Sequence, residues 1–346
     1  MSIDEQYMIR CIQLAKLGAG NVAPNPMVGA VLVYEDKIIG EGYHQKYGEA
    51  HAEVNCINSV SEKNKSLLEK STIYVSLEPC SHYGKTPPCA DLIIKNKIRK
   101  VVIGVKDIYN KVDGKGIQKL QNAGLQVITG VVENKCHDLN KRFFTFHQKK
   151  RPYIILKWAQ SANGKIGSND ERILISNDYS NRLVHKWRSE EAAILVGTNT
   201  ALIDNPSLTT RLWEGKNPVR IVIDKELKLP PDLKIFNKEV RTFIFNSSKN
   251  SIEENLQYIK LENEIFSQDL LHSLFELNIQ SVLIEGGTKT LQSFIDLGFF
   301  DEVRVITNQE MIIENGISAP EMKNFKLIKQ EKHFGDMIGY YGNQDI

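Results

Sequence analysis

Five cysteines in 346 residues are too few, and too scattered, for the disulfide framework that staples small secreted domains, so a reducing compartment is expected. An excess of one charge is missing too. Lys+Arg number 44 against 42 Asp+Glu, a formal net charge of +2, which provides no basic field of the kind that draws a protein to nucleic acid. No apolar run approaches the roughly 20 residues that cross a bilayer, so no membrane partner is expected either. Residues 1–18, MSIDEQYMIRCIQLAKLG, carry acidic side chains within an amphipathic pattern, which argues against a secretory or transit peptide and for a soluble, cytoplasmic chain. The second half has no internal repeat, no low-complexity tract and no GxGxxG after a strand, so a Rossmann nucleotide site lacks its fingerprint there. The length allows two domains, each with its own core.

What is present is concentrated between His51 and Cys89. His51 and Glu53 stand in HAE at the start of an expected helix, and Cys80 and Cys89 flank SHYGKTPP after an expected strand, TIYVSLEPC. One imidazole and two thiolates hold zinc with a fourth position open to water, and an unligated carboxylate two residues past the histidine can move protons. That is the equipment for hydrolytic removal of an amino group from a nucleobase ring. A structural zinc clip would want a fourth ligand, for which His82 is a candidate, but such a clip has no use for Glu53.

Hydrophobic periodicity orders the first half into alternating elements. A helix with Asp4 as its expected N-cap buries Tyr7, Met8, Cys11, Ile12, Leu14 and Ala15. A proline-bounded turn containing Asn25 leads into a hairpin, MVGAVLVY, EDK, IIGEGYH. Strands TIYVSLEPC, KVVIGVKD and LQVITGVV then alternate with helices, which implies a mixed sheet covered on both faces. A helix over ENKCHDLNKRFFTFH ends in QKKRP, read as a solvated basic linker. Beyond it strands and helices alternate again, with Lys157 mid-strand in YIILKWAQ and expected to face a polar pocket.

HAE with EPCSHYGKTPPCADLIIK, preceded by APNPMVGAVLV, resembles the deaminase half of the bifunctional riboflavin-biosynthesis deaminase–reductases over roughly residues 1–145. The eight residues between Cys80 and Cys89 match that family, whereas cytidine and transfer-RNA adenosine deaminases usually close the motif as PCxxC. The resemblance implies an α/β fold with a cytidine-deaminase-like three-layer αβα domain over residues 1–146. It implies one zinc per chain on His51, Cys80 and Cys89, with Glu53 catalytic. Asn25 would read the pyrimidine edge, although a turn is the ordinary place for such a residue. Lys85 or His82 would meet the substrate phosphate.

In the second half VGTNTALIDNPSLTTR, PVRIVID and LIEGGTKTLQSFIDLG resemble the reductase half of the same family. This implies a dihydrofolate-reductase-like α/β domain over residues 151–346 that uses NADPH. Ala159, Leu174, Thr200, Asp204 and the stretch Gly287, Thr288, Lys289, Thr290, Leu291, Gln292 and Ser293 would bind the cofactor. Arg188, Leu208, Arg211 and Glu285 would bind the substrate. Two departures stand out. Asn163 replaces the family's aspartate, which takes a charge away, and Leu174 replaces a tryptophan whose indole would stack on the cofactor. The reaction implied is removal of the 2-amino group of 2,5-diamino-6-ribosylamino-4(3H)-pyrimidinone 5′-phosphate, then reduction of its ribosyl group to ribityl, with a homo-oligomer possible. The rival reading, a transfer-RNA adenosine-type deaminase with an appended binding domain, wants a basic stripe or stacking aromatics that RTFIFN and RFFTF scarcely offer.

Overall fold

The computed structural model describes residues 1–83, 87–108, 114–168, 173–262 and 268–344. The chain divides into two compact units, Met1–Lys150 and Arg151–Ile346.

In the first unit, helix α1 (Ile3–Ala15) is capped by Ser2 and not by Asp4. The register of Ser2 and Glu5 decides this: the Ser2 hydroxyl accepts from Glu5 N at 3.2 Å while the Glu5 carboxylate accepts from Ser2 N at 2.7 Å, a reciprocal capping box. Asp4, inside the first turn, instead accepts the Tyr74 hydroxyl at 2.6 Å. The apolar stripe expected for α1 is the stripe that is buried. Strands β1 (Gly29–Tyr34) and β2 (Lys37–Tyr43) form a hairpin over Glu35 and Asp36, whose φ values of 45° and 57° give the two-residue loop the twist that suits antiparallel strands.

The chain continues through α2 (Ala52–Asn58), β3 (Thr72–Leu77), α3 (Cys89–Lys95), β4 (Lys100–Val105), α4 (Lys115–Asn122) and β5 (Gln126–Thr129). The five-stranded sheet has the order β2-β1-β3-β4-β5, with β3, β4 and β5 parallel and β1 antiparallel to both neighbours. Side chains alternate across it, as the pleat requires. Ala30, Leu32, Ile73 and Val75 pack beneath α2 and α3, whereas Val31, Val33, Tyr74 and Leu77 pack against α1. The result is the three-layer αβα arrangement.

The stretch read as one terminal helix is two, α5 (Glu133–Leu139) and α6 (Lys141–Lys149). Asn140 breaks it at φ −113°, ψ 21°, and its buried amide accepts from Met27 N at 2.8 Å and donates to Met27 O at 2.9 Å. An asparagine that bonds a distant backbone competes with helix continuation. Here it holds the turn that carries Asn25. The basic linker also reads differently in three dimensions. Lys149 completes α6, and Arg151 is no solvated cation: its fork meets the Asp301 carboxylate at 2.6 and 2.8 Å, and Asp301 also accepts from Ile154 N.

The second unit contains β6 (Tyr153–Ser161), β7 (Lys165–Gly167), α7 (Asp178–Glu190), β8 (Ala193–Gly197), α8 (Thr198–Asp204), β9 (Val219–Ile223) and β10 (Thr242–Asn246). It goes on through β11 (Ser251–Glu253), β12 (Leu256–Lys260), α9 (Gln268–Glu276), β13 (Ser281–Ile284), α10 (Thr288–Asp296), β14 (Glu302–Asn308), β15 (Ile317–Ser318), β16 (Phe325–His333) and β17 (Asp336–Asn343). Ten strands form one sheet in the order β11-β12-β10-β9-β8-β13-β6-β14-β17-β16, parallel from β12 through β14 and antiparallel at both edges. The short strands β7, β11, β12 and β15 leave little apolar alternation in the sequence and were not foreseen. Open parallel sheets bind ligands outside the carboxyl ends of their strands, and those ends are where the second unit is hollow.

Candidate active sites

In the first unit three helix starts and strand ends converge. His51 is the N-cap of α2, which places Glu53 in that helix's first turn. The close approach of α2 to the hairpin depends on Gly42, where a Cβ would lie 2.2 Å from Cys56 N. Cys80 follows β3 and Cys89 opens α3, so that Cys89 N donates to the Cys80 sulfur at 3.3 Å. Upstream, Glu78 locks the end of β3. Its buried carboxylate accepts from the backbone N–H groups of Asp107, Gly114, Gly116 and Ile117 at 2.9–3.2 Å.

The three ligand atoms lie within 4.8 Å of one another, with His51 Nδ1 at 3.6 Å from Cys80 Sγ and 3.4 Å from Cys89 Sγ. Bond lengths of about 2.3 Å to sulfur and about 2.0 Å to nitrogen at a tetrahedral angle give N···S edges of about 3.5 Å, so the triangle has the size zinc requires. His82 is not part of this cluster. Hydrogen bonds from Cys89 and His51 hold the Cys80 thiol well below its ordinary range, as suits a thiolate ligand. Glu53 is 3% exposed, and burial followed by the Cys80 charge raises its carboxyl to about 7.

Asn25 stands one residue beyond this set. Its Nδ2 is 3.2 Å from His44 Nε2, while His44 Nδ1 is 3.1 Å from Ala50 O, and the His44 ring meets that of His51 edge-on at 5.4 Å. A carbonyl can only accept, so the His44 proton sits on Nδ1 and its bare Nε2 takes a proton from Asn25. That fixes the Asn25 amide with Oδ1 left to accept. Sequence reasoning missed His44, which no motif marks. Lys85 lies outside the described residues.

The second unit holds a cavity of about 910 Å³ at the carboxyl ends of β6, β8, β9 and β13. Ala159, Leu174, Thr200, Asp204, Gly287, Thr288, Lys289 and Thr290 line it, as do Arg188, Leu208 and Glu285. Leu291, Gln292 and Ser293 do not. Helix α10 turns Leu291 into the core, ties Gln292 to Asp296 at 2.9 Å and bonds the Ser293 hydroxyl to Lys289 O. Only the first turn of a helix can present its N–H groups to a ligand. Gly197 lets that turn approach β8, since a Cβ there would lie 2.4 Å from Thr290 Oγ1. Thr200 Oγ1 accepts from Gly287 N at 2.9 Å, bracing the same turn.

The charged floor of the cavity is a buried group that the sequence suggested only in pieces. Arg188 Nε and Nη2 each reach a Glu285 carboxylate oxygen at 2.8 Å, and Lys157 Nζ is 3.8 Å from the same carboxylate. The forked cation expected to grip a phosphate is therefore already bidentate on Glu285. Burial alone would raise Glu285, but Arg188 and Lys157 outweigh it and hold the carboxyl at about 2. Burial lowers the Lys157 ammonium. Arg211 is exposed and does not line the cavity. Asn163 is also absent from the lining. Its amide donates to Ile313 O at 2.9 Å and accepts from Ser161 Oγ at 2.7 Å, so the lost carboxylate removes no charge from the cavity wall.

These two units define a zinc-deaminase layer joined to a dihydrofolate-reductase-like domain. Residues 1–105 match the family model described as "Cytidine and deoxycytidylate deaminase zinc-binding region", and residues 152–310 match "RibD C-terminal domain". The riboflavin biosynthesis protein RibD of Aquifex aeolicus is 41% identical over 92% of this chain and 90% of its own length, and that of Escherichia coli is 32% identical over 96% and 97%. A crystal structure of a diaminohydroxyphosphoribosylaminopyrimidine deaminase/5-amino-6-(5-phosphoribosylamino)uracil reductase from Thermotoga maritima superposes with a TM-score of 0.90 at 36% identity, covering 99% of both chains. The chain belongs to the RibD family, and it is a bifunctional deaminase and reductase of riboflavin biosynthesis. It uses zinc for the first activity and NADPH for the second, and its substrate is a small molecule. Among the described residues no helix is long and apolar enough to cross a membrane.

Proposed function

We propose that His51, Cys80 and Cys89 hold the zinc and that Glu53 carries protons during deamination of 2,5-diamino-6-ribosylamino-4(3H)-pyrimidinone 5′-phosphate. The observation that carries this reading is the ligand triangle with N···S edges of 3.4 and 3.6 Å and a buried, unligated carboxylate beside it. Zinc at that position supplies a Lewis acid that makes water a nucleophile near neutral pH. Glu53 takes a proton as the water attacks C2 of the ring and returns it to the departing amine, and burial keeps its pKa near the working range. Asn25, its amide fixed by His44, accepts a hydrogen bond from the pyrimidine edge. Residues 1–146 form this domain and residues 151–346 the reductase, which acts second. The enzyme works in the cytoplasm, and a homo-oligomer is compatible with everything above.

The zinc assignment has a direct test. Two protein ligands do not make a stable site, so elemental analysis of Cys80→Ser should find far less zinc than the one per chain expected of the wild type. Full zinc in the variant would remove Cys80 from the ligand set.

In the reductase NADPH supplies the hydride, and the protein supplies orientation and a proton. Reducing the ribosyl group places hydride on C1′ and a proton on the ring oxygen. Lys157 is the buried ammonium in the cavity, and Glu285 with Arg188 fixes its place. The first turn of α10, with Thr200, offers N–H and hydroxyl groups to a cofactor phosphate. Arg211, at an exposed position, attracts the substrate phosphate through water and salt. Screening limits that attraction to about 1 kcal/mol, so Arg211→Ala should raise the substrate KM about fivefold at low salt and less at high salt. Steady-state NADPH oxidation reads this. A KM unchanged at low salt would take Arg211 out of the site.

A further inference from the structure

Residues 205–217 carry Leu208, in the cavity wall, and Arg211, and the loop is built under constraint. Asn205 and Leu208 both have left-handed backbones, with φ of 38° and 53°, yet Leu208 is only 2% exposed. Non-glycine residues persist in that region when their surroundings over-determine them. Part of the determination is internal, since Thr210 N and Oγ1 both bond Asn217 Oδ1, at 2.9 and 3.0 Å. At its outer end the loop leans on α7 through Trp213, whose ring lies 5.5 Å from Lys186 Nζ.

At the cavity end the attachment is one carbonyl. Arg188 Nη1 donates to Thr209 O at 3.2 Å, and His185, three residues earlier on the same face of α7, also hydrogen-bonds the Thr209 backbone. His185 is 1% exposed, and its Nδ1 is buried without a partner. The donor to Thr209 is therefore Nε2, and His185 is the neutral Nε2–H tautomer. Burial, with the positive charges of Arg188 and Arg211 nearby, keeps it neutral.

We propose that His185 is a positioning residue for the reductase, holding the Thr209 carbonyl beside Arg188 so that Leu208 and Arg211 stay where the substrate meets them. Arg188 alone is a weak clamp for this loop, because its other two donors are taken by Glu285. The second donor on the carbonyl comes from His185. This rests on the reading of the cavity as the reductase site, and the test separates the two.

Glutamine places an amide nitrogen where Nε2 stands, while asparagine reaches only the Nδ1 position, so H185Q keeps the donor and H185N loses it. With the deaminated aminouracil phosphate as substrate, H185N should raise the substrate KM about tenfold, the worth of one oriented hydrogen bond, and leave the NADPH KM within about twofold. H185Q should restore the wild-type substrate KM. In the absence of ligands, amide hydrogen exchange of peptides spanning residues 205–217 should quicken in H185N and not in H185Q. Wild-type KM in H185N, equal impairment in both variants, or unchanged exchange in H185N would overturn the proposal. A wild type that oxidises no NADPH with this substrate would defeat the reductase reading, and the exchange comparison would still decide the role of His185.

Discussion

Glu53→Gln is expected to keep its zinc and to lose ammonia release by about 10²–10⁴-fold, the range that positioned acid–base groups contribute. The carboxyl is 3% exposed and beside the ligand triangle without belonging to it, so an amide of the same shape leaves the three ligand atoms in place. What the amide cannot do is accept a proton and hand it on. Burial raises Glu53 to about 7, and the charge of a bound dication acts against that rise. The wild type should therefore lose deamination as acid protonates this group, whereas the residual rate of the variant should lack that acid limb. Zinc analysis with ammonia release from pH 5 to 8 reads both. A variant releasing ammonia at close to the wild-type rate would assign the proton to another group.

Glu285→Gln is expected to cost the second unit about 3–5 kcal/mol, because it leaves Arg188 and Lys157 buried beside a neutral amide. The pH dependence gives an independent figure. A carboxyl held at about 2 in the folded chain and near 4.5 when unfolded corresponds, at 1.36 kcal/mol per pH unit, to about 3 kcal/mol. Because the folded value is the lower one, this stability is fully present above about pH 4.5 and is lost as pH falls towards 2. Melting of the second unit should thus fall by roughly 10 °C in the variant at pH 7, and the gap should close as the pH falls from 4.5 to 2. Equal melting temperatures at pH 7 would mean that the carboxylate does not hold the two cations. Reduction should fail with it, since Lys157 loses the anion that places it.

The two sites were unequally legible, for a physical reason. His51, Glu53, Cys80 and Cys89 fall in two short motifs, and strand-to-helix junctions aim them automatically, so spacing alone nearly specifies the geometry. The Arg188–Glu285 pair joins residues 97 apart in sequence, and nothing local in either α7 or β13 announces that one arginine's fork is already taken. Leu291, Gln292 and Ser293 were assigned to the cofactor as a continuous run, but a helix shows a ligand only its first turn. Asn163 looked like a charge lost from the site because its environment, a loop bonded to Ile313, is set by a segment far along the chain. Asn140 breaks a helix whose apolar periodicity reads as unbroken, because its partner is Met27.

The central claim is that one chain carries two separate chemistries in series, and a single incubation tests it: the diaminopyrimidine ribosyl phosphate with purified protein, ammonia and NADPH followed independently. Ammonia should appear with or without NADPH, and NADPH should be oxidised only as the deaminated intermediate forms. Glu53→Gln should therefore suppress both signals, and supplied deaminated intermediate should restore NADPH oxidation alone. NADPH oxidation that proceeds in Glu53→Gln without that intermediate, or ammonia release that requires NADPH, would contradict the account.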